Sequence, residues 1–574
     1  MRQRGRTGIA LAITAAFALV GAGCTGGGGG HGGDATASAK VRQQAAKVQV
    51  NAVSYDDVKA GGVLNYPLHA PITNFNRYQL DGDNVDTIAV MGTSLPSLFT
   101  IDGANRFTAN PDYLTGEPAV ATSPAQSITY SINPKATWSD GTPISYKDFV
   151  SQWQALNGTN PNYTITTSAG YADVASVARG ATDQKVVVTF KTGVVDPDWR
   201  ALFSPLYPMS ATQSAAAFNG SWETRPGVSG GPFMFQSADP ATKSYTFVAN
   251  PHWWGRKPKL SKIVFKAYPS ATAMVSALRA HQIDVQDVGF DLPTYQQVKA
   301  VSGVSVRTIG GPDSRALTIN GSRGPLTDVK IRQALAMGID RDAIARAELA
   351  PFGIGDAAAP DDHVFLANQD GYKDNAGTLG SYNPTAAGQA LDAAGWTLNP
   401  TTHVREKGGK PLALSFVIPA DTANSTTEAQ LIKQQLGKIG VKVTIKPVNA
   451  TKLFNDYVVP GDYDLTVFSW LGSNFPITSA STIYEPEQPG DNWQQNYSRV
   501  SVPQLNTLFK QALASLDTAA ATAAANQADS LIWQNVLSLP LYQRPDVWAV
   551  NSKLANIGAF GFATIDWTSV GFTS

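Results

Sequence analysis

Apolar residues recur along the chain at two different periods, and stretches of the two periods alternate. Ile128, Tyr130 and Ile132 are spaced by polar neighbours and Val186 to Phe190 is a short apolar-rich run, so both predict β-strands. Ala429, Ile432, Leu436 and Ile439 fall at helical spacing behind Ser425 and Glu428, which stand at capping-box separation, and Gly440 can end that helix. Val441, Val443 and Ile445 then alternate, so Leu412 to Ile445 predicts a β-α-β unit of the kind that belongs to a parallel sheet. A second helix opens on Thr327 or Asp328 and carries Ile331, Ala334, Leu335, Gly338 and Ile339 on one face. The chain therefore reads as α/β.

One apolar run has a different character. Gly8 to Val20 follows Arg2, Arg4 and Arg6 and, at thirteen residues, falls short of the roughly 20 that span a bilayer. It reads as a signal peptide. Cys24, after Gly21-Ala22-Gly23, is the only cysteine in the sequence, which excludes an intramolecular disulfide and a Cys-based metal site. Residues 1–24 resemble a bacterial lipoprotein signal, in which such a cysteine is diacylated and becomes the new N-terminus; Gly21 departs from the leucine of that pattern. An ordinary cleaved signal with an incidental cysteine is the alternative. The Gly-rich string Thr25 to Gly33 and the Ala/Ser/Gln-rich stretch after it predict a flexible tether over residues 25–60, with the folded body starting near Gly61.

A length of 574 residues implies two or three packed units, and 43% hydrophobic with 15% charged residues implies that most of them are folded. Lys plus Arg and Asp plus Glu both number 44, so no overall field favours nucleic acid. The six histidines, at 31, 69, 252, 281, 363 and 403, make no His-Glu-x-x-His and no pair at helical ligand spacing, and there is no nucleotide-binding P-loop. Asp361-Asp362 lies in a Pro/Asp/Ala-rich loop and reads as solvated. No catalytic residue, metal or cofactor is expected, although a glycosidase acid pair converging in space is beyond the reach of sequence spacing.

Several blocks, in order, resemble the extracytoplasmic solute-binding proteins of family 5, the peptide/nickel type. They are TWSDGTPISYKDFVSQW from Thr137, GGPFMF from Gly230, NPHWWGRKPKLSKIVFKAYPS from Asn250 with ALRAHQIDVQD from Ala277, PLTDVKIRQALAMGIDRDAIA from Pro325, YNPTAAGQALDAAGW from Tyr382 and GDYDLTVFSW from Gly461. Asp140-Gly141 and Gly230-Gly231 are read as turn formers. The resemblance implies a two-lobed periplasmic-binding-protein-like fold (type II, cluster C) with an extra inserted subdomain. On that reading lobe I comprises residues 61–104, 228–312 and 535–574, the insertion 105–227, and lobe II 313–534. It also implies a monomer that closes about a hinge on its ligand and hands it to an ABC permease with separate ATPase chains.

Family members that bind peptides carry, three residues after a cleft tryptophan, an aspartate that pairs with the peptide's amino terminus. Trp470 matches the tryptophan, but Ser473 stands at the aspartate's place. A buried ammonium without a counter-charge costs several kcal/mol, so Ser473 and Asn474 suit an amide, a hydroxyl-rich group or a blocked peptide better. Phe475, Asn76, Asn84 and Tyr497 complete the candidate ligand-binding set, with Asn74, Phe75, Tyr78 and Trp493 in the same polar-aromatic strings. Trp470 reads equally as a core tryptophan, and loop or interlobe packing serves as well for the others. The expected ligand is an oligopeptide or peptide-like molecule; a glycolipid or envelope component bound in a regulatory role is the second reading, and a secreted hydrolase the third.

Overall fold

The computed structural model describes residues 48–490 and 492–573. Cys24 and the signal-peptide reading lie outside them.

The two periods resolve mainly into three sheets of four or more strands, beside smaller sheets of two and three strands. Lobe I carries Val63–Leu68, Lys262–Ala267, Ser244–Ala249 and Phe233–Asp239 in that spatial order, the first pair parallel and the rest antiparallel. The insertion carries an antiparallel sheet in the order Ala119–Ala121, Ser127–Ser131, Lys185–Phe190, Val174–Arg179, which contains both strands expected from the alternation. A six-stranded sheet runs Val285–Asp287, Ser538–Asn551, Val304–Ile319, Leu465–Trp470, Ala413–Pro419, Lys442–Val448. Its two longest strands, of 16 and 14 residues, pair antiparallel; by the expected bounds Val304–Ile319 runs from lobe I into lobe II, and Ser538–Asn551, expected in lobe I, buries Leu539, Leu541 and Tyr542 in the same core as Leu317 and Ile432. Their register shifts between Gly310 and Ser314 and again between Arg315 and Ala316, and such irregularities bend a strand and re-aim its side chains.

The β-α-β unit forms as expected: Ala413–Pro419 and Lys442–Val448 pair in parallel across the helix Ala423–Lys438. Its capping differs. The helix starts earlier, with Thr422 at the N-cap, and Ser425 and Glu428 are fully buried one turn inside it. There Glu428 takes Arg315 Nη2 at 2.7 Å, Arg315 Nε at 2.9 Å and the Tyr542 hydroxyl at 2.5 Å, while Ser425 Oγ accepts from Arg315 Nη2 at 2.7 Å. Asp328 does cap the helix Val329–Gly338, accepting from Lys330 N at 2.9 Å.

Leu64, Phe75, Trp138, Tyr207, Phe247 and Val570 belong to one apolar core, so the insertion and lobe I share an interior. Lobe II has its own, around Leu317, Leu335, Ile432, Leu436 and Val467. Burying each such side chain contributes about 1.5–3 kcal/mol. Gly141 adopts φ +86°, as a turn glycine should. Gly231 is required by closeness instead, since a Cβ there would stand 2.8 Å from the Ser94 carbonyl carbon.

The tether reading fails over its last dozen residues. Gln49 exchanges backbone hydrogen bonds with Ala559 at 3.1 Å, Val53 N donates to Asn556 Oδ1 at 2.9 Å, and Tyr55 donates to the Lys257 carbonyl at 2.7 Å. Arg256 and Lys259 stand over the Tyr55 ring. The polar residues that suggested a linker are the groups that bind this segment to lobe I. Among the described residues no helix is long and apolar enough to cross a membrane.

Candidate functional site

Strand Leu465–Trp470 runs up the middle of the large sheet and ends at Trp470, after which the chain turns through Leu471 to Asn474 into the helix Pro476–Ile483. Beside this turn is a cavity of about 60 Å³, walled by Pro312, Ser314, Trp470 and Ser473 and floored by Asp362 and His363. Tyr484 and Ser538 join its polar lining, hydrogen-bonded hydroxyl to hydroxyl at 2.9 Å, and Phe365, Leu366 and Ile483 supply apolar wall.

The floor corrects the solvated reading of Asp361-Asp362. Both are buried. Asp361 pairs with Arg341 at 2.6 Å. Asp362 Oδ1 accepts from the backbone N–H of Val364 and Phe365 at 2.8 and 2.9 Å, and its Oδ2 from Lys373 N at 3.0 Å. Burial, and then the neighbouring Asp529 charge, hold the Asp362 carboxyl well above the usual carboxylate range against those three donors. His363 places Nδ1 2.7 Å from Asp529 and Nε2 3.0 Å from the Ser538 carbonyl. Both nitrogens lie beside acceptor oxygens.

The insertion meets lobe II across this turn. Asn105 Nδ2 donates to the Asn474 carbonyl at 2.8 Å, Phe107 stacks on Phe475 with centroids 5.4 Å apart, and Thr478 donates to Asp198. Asp370 N donates to the Ala104 carbonyl at 3.2 Å. These contacts join residues 104–198 to residues 370–478.

Of the sequence candidates, Trp470, Ser473, Asn474, Phe475 and Tyr497 come together here. The Trp470 and Tyr497 rings stack with centroids 5.8 Å apart and planes 9° apart, so Trp470 lines the cavity and packs on an aromatic neighbour at once. Ser473 Oγ accepts from Phe475 N at 3.0 Å, and its carbonyl from Gln369 Nε2 at 3.2 Å. The other two lie elsewhere. Asn76 is buried, its amide donating to the Phe218 carbonyl at 3.0 Å and accepting from Tyr78 N at 3.2 Å. Asn84 caps the helix Val85–Met91 through Thr87 N at 2.9 Å. Both spend their side chains on local backbone. Asn74 and Phe75 are likewise interior, whereas Trp493 is half-buried. Gly227 to Gly231 has the Gly-x-Ser-x-Gly spacing of a nucleophile elbow, yet Ser229 Oγ is buried, its one proton shared between the Ser94 and Phe233 carbonyls at 2.7 and 2.6 Å while it accepts from Gly231 N at 3.1 Å. It ties a turn.

Sequence reasoning missed Asp362 and His363 in the cavity lining, and Asn105 and Asp198 on the opposite side of the turn. Asp362 carried a signal that was read the other way; the rest join the site across more than a hundred residues of chain and carry no local pattern.

Residues 115–490, more than half of the chain, match the model of the bacterial extracellular solute-binding proteins, family 5 Middle. The chain belongs to this family. It is similar to the oligopeptide-binding protein OppA of Mycobacterium tuberculosis, 38% identical over 517 residues that cover 89% of this chain and 85% of that protein. Its fold is similar to that of the periplasmic EDTA-binding protein EppA, with a TM-score of 0.77, 24% identity and coverage of 92% and 99%. The oligopeptide-binding protein AppA from Bacillus subtilis, solved with a nonapeptide, gives a TM-score of 0.63 at 19% identity, covering 90% and 100%. The two-lobed family 5 fold and a solute-binding role follow for this chain.

Proposed function

We propose that this family 5 protein is the extracytoplasmic receptor of an ABC importer, taking a peptide or peptide-like ligand between its lobes and passing it to a permease whose ATPases are separate chains. The observation that carries the reading is the 38% identity to an oligopeptide-binding protein over nearly the whole chain. The Trp470 to Phe475 turn supports it, since it lies where the insertion closes on lobe II and presents main-chain and amide groups beside an aromatic wall. Ser473 lacks the charge that would hold a free amino terminus, so main-chain contacts and a neutral or blocked terminus define the ligand. The protein binds rather than reacts: His363 is engaged at both nitrogens and Ser229 is occupied. Cys24 is the acylated residue that retains a monomer on the outer face of the cell membrane.

The test is to purify the chain from its own envelope, denature it and identify what is released by mass spectrometry. Peptides of a narrow length range are expected. A lipid or glycan in their place would overturn the reading, as would undiminished uptake of the released ligand in a deletion strain.

A further inference from the structure

The chain is neutral overall but not locally. From Ala429 to Asn455 it carries five lysines, at 433, 438, 442, 446 and 452, and no aspartate or glutamate. Two of the five are engaged: Lys452 pairs with Asp456 at 3.5 Å, and Lys446 stands 4.5 Å from the centre of the Tyr457 ring. Among the described residues no carboxylate pairs with Lys433, Lys438 or Lys442.

This basic stretch contains the outer edge of the large sheet. Lys442–Val448 is the last strand in the spatial order and is paired on one side only, with Ala413–Pro419. Lys442 N donates to the Leu412 carbonyl at 2.9 Å and the Val448 carbonyl accepts from Ala420 N at 2.7 Å, so the even-numbered positions face the sheet. Backbone groups alternate along a strand, and the N–H and C=O of Val443 and Ile445 therefore point outward, where no strand lies beside them. Pro447, the next outward position, offers a carbonyl and no N–H. The open edge is short.

A groove of about 630 Å³ runs along it, against about 60 Å³ for the cavity beside Trp470. Val443 and Ile445 line the groove from the strand and pack on the lobe II core, and Lys433 lines it from the helix Ala423–Lys438. Lys442 and Thr444 also line it and lie on the strand's other face. The lining holds no acidic residue.

Lysine and proline blunt an exposed edge against its own kind, and here the device also selects. A second copy of this strand sets lysine against lysine, whereas an acidic strand turns the same charges into attraction. Strand addition to an edge takes its affinity from main-chain hydrogen bonds and its specificity from alternate side chains.

We propose that the outer edge of lobe II binds an extended acidic segment of a partner protein as a seventh strand of the large sheet. The N–H groups of Val443 and Ile445 donate to its main chain, and Lys433 and Lys442 face its carboxylates. The strand Ala413–Pro419 stands between this edge and Leu465–Trp470, so the segment and a ligand at the Trp470 turn bind without competing.

The probe is a short blocked peptide of alternating glutamate and valine, labelled with fluorescein and titrated by anisotropy into the full-length chain at low salt. Its affinity is expected to fall at least about tenfold in the double variant Lys433→Glu/Lys442→Glu and to weaken as salt is added. Lys442 is exposed and Lys433 half-buried, so the substitutions leave the core untouched. A second comparison needs no variant: methylating every backbone nitrogen of the peptide keeps its charges, removes its N–H groups and crowds both of its edges, and should abolish binding. On binding of the parent peptide, amide hydrogen exchange should slow at residues 441–447. No binding of the parent peptide, equal binding of its methylated copy, an affinity untouched by the lysine reversals, or protection at the Trp470 to Phe475 turn in place of residues 441–447 would each overturn the proposal.

Discussion

Tyr497 lies flat against Trp470, with ring planes 9° apart, so the tryptophan that walls the cavity is held in place from behind. Tyr497→Ala removes that support and is expected to cost about 0.5–1.5 kcal/mol beyond lost area, visible as a weaker near-UV circular dichroism band and a lower melting temperature. Trp470→Ala should lower affinity for the co-purifying ligand about tenfold or more, and Tyr497→Ala by less. Equal losses would mean that the two rings act as one ligand platform.

Arg315, on the long strand shared by the lobes, is anchored by Glu428 and Ser425 inside lobe II. Glu428→Gln leaves that guanidinium buried without its counter-charge and is expected to destabilise the chain by about 3–5 kcal/mol, read as a fall in the urea midpoint. An unchanged midpoint would mean that water reaches the pair.

Glu348 lies in the same interior, and its carboxyl is pushed up to about 8, first by burial and then by the Glu428 charge, with Arg315 opposing. A folded-state value above the ordinary 4.5 means that the folded chain binds this proton more tightly than the unfolded chain. The stability it contributes is whole below about pH 4.5 and is lost as the pH rises through about 8, with a slope of up to about 1.4 kcal/mol per pH unit. Glu348→Gln should flatten that slope in urea titrations made across the same range.

Phe107→Ala and Asn105→Ala cut the insertion's hold on Phe475 and Asn474. Both should shift the chain toward an open form, seen as a larger radius of gyration in solution scattering, and should raise the ligand's dissociation rate about threefold to tenfold. An unaltered scattering curve would show that closure rests on other contacts.

Ser473→Asp places a carboxylate on the cavity wall beside Trp470. Affinity for peptides with a free amino terminus should then rise about tenfold over their N-acetylated forms, a preference absent from the unsubstituted chain in calorimetric titration.

What could be read before folding was what depends on near neighbours. The β-α-β unit, the Asp328 cap and the paired strands of the insertion follow from periods of two and 3.6 residues, and Trp470 to Phe475 from an ordered series of family blocks. Where the sequence reading failed, local chemistry served a distant partner. Ser425 and Glu428 have the spacing of a cap, yet an arginine more than a hundred residues away takes both inward. Asp361-Asp362 resembles a solvated loop because nothing nearby hints that Arg341 and three backbone N–H groups will enclose it. Asn76 and Asn84 are polar residues in a polar string, and only the packed chain tells that their amides satisfy backbone rather than ligand.

The segment from Gln49 to Tyr55 is stitched along lobe I through Ala559, Asn556 and Lys257, and none of these partners belongs to lobe II. A mechanical pull arriving along the chain from its N-terminal side would therefore fall on lobe I, including the long strand Val304–Ile319, whose Thr308 N–H donates to Gln49 Oε1 at 3.1 Å. None of these contacts falls on lobe II, so an anchor on the N-terminal side would leave that lobe clear of the load.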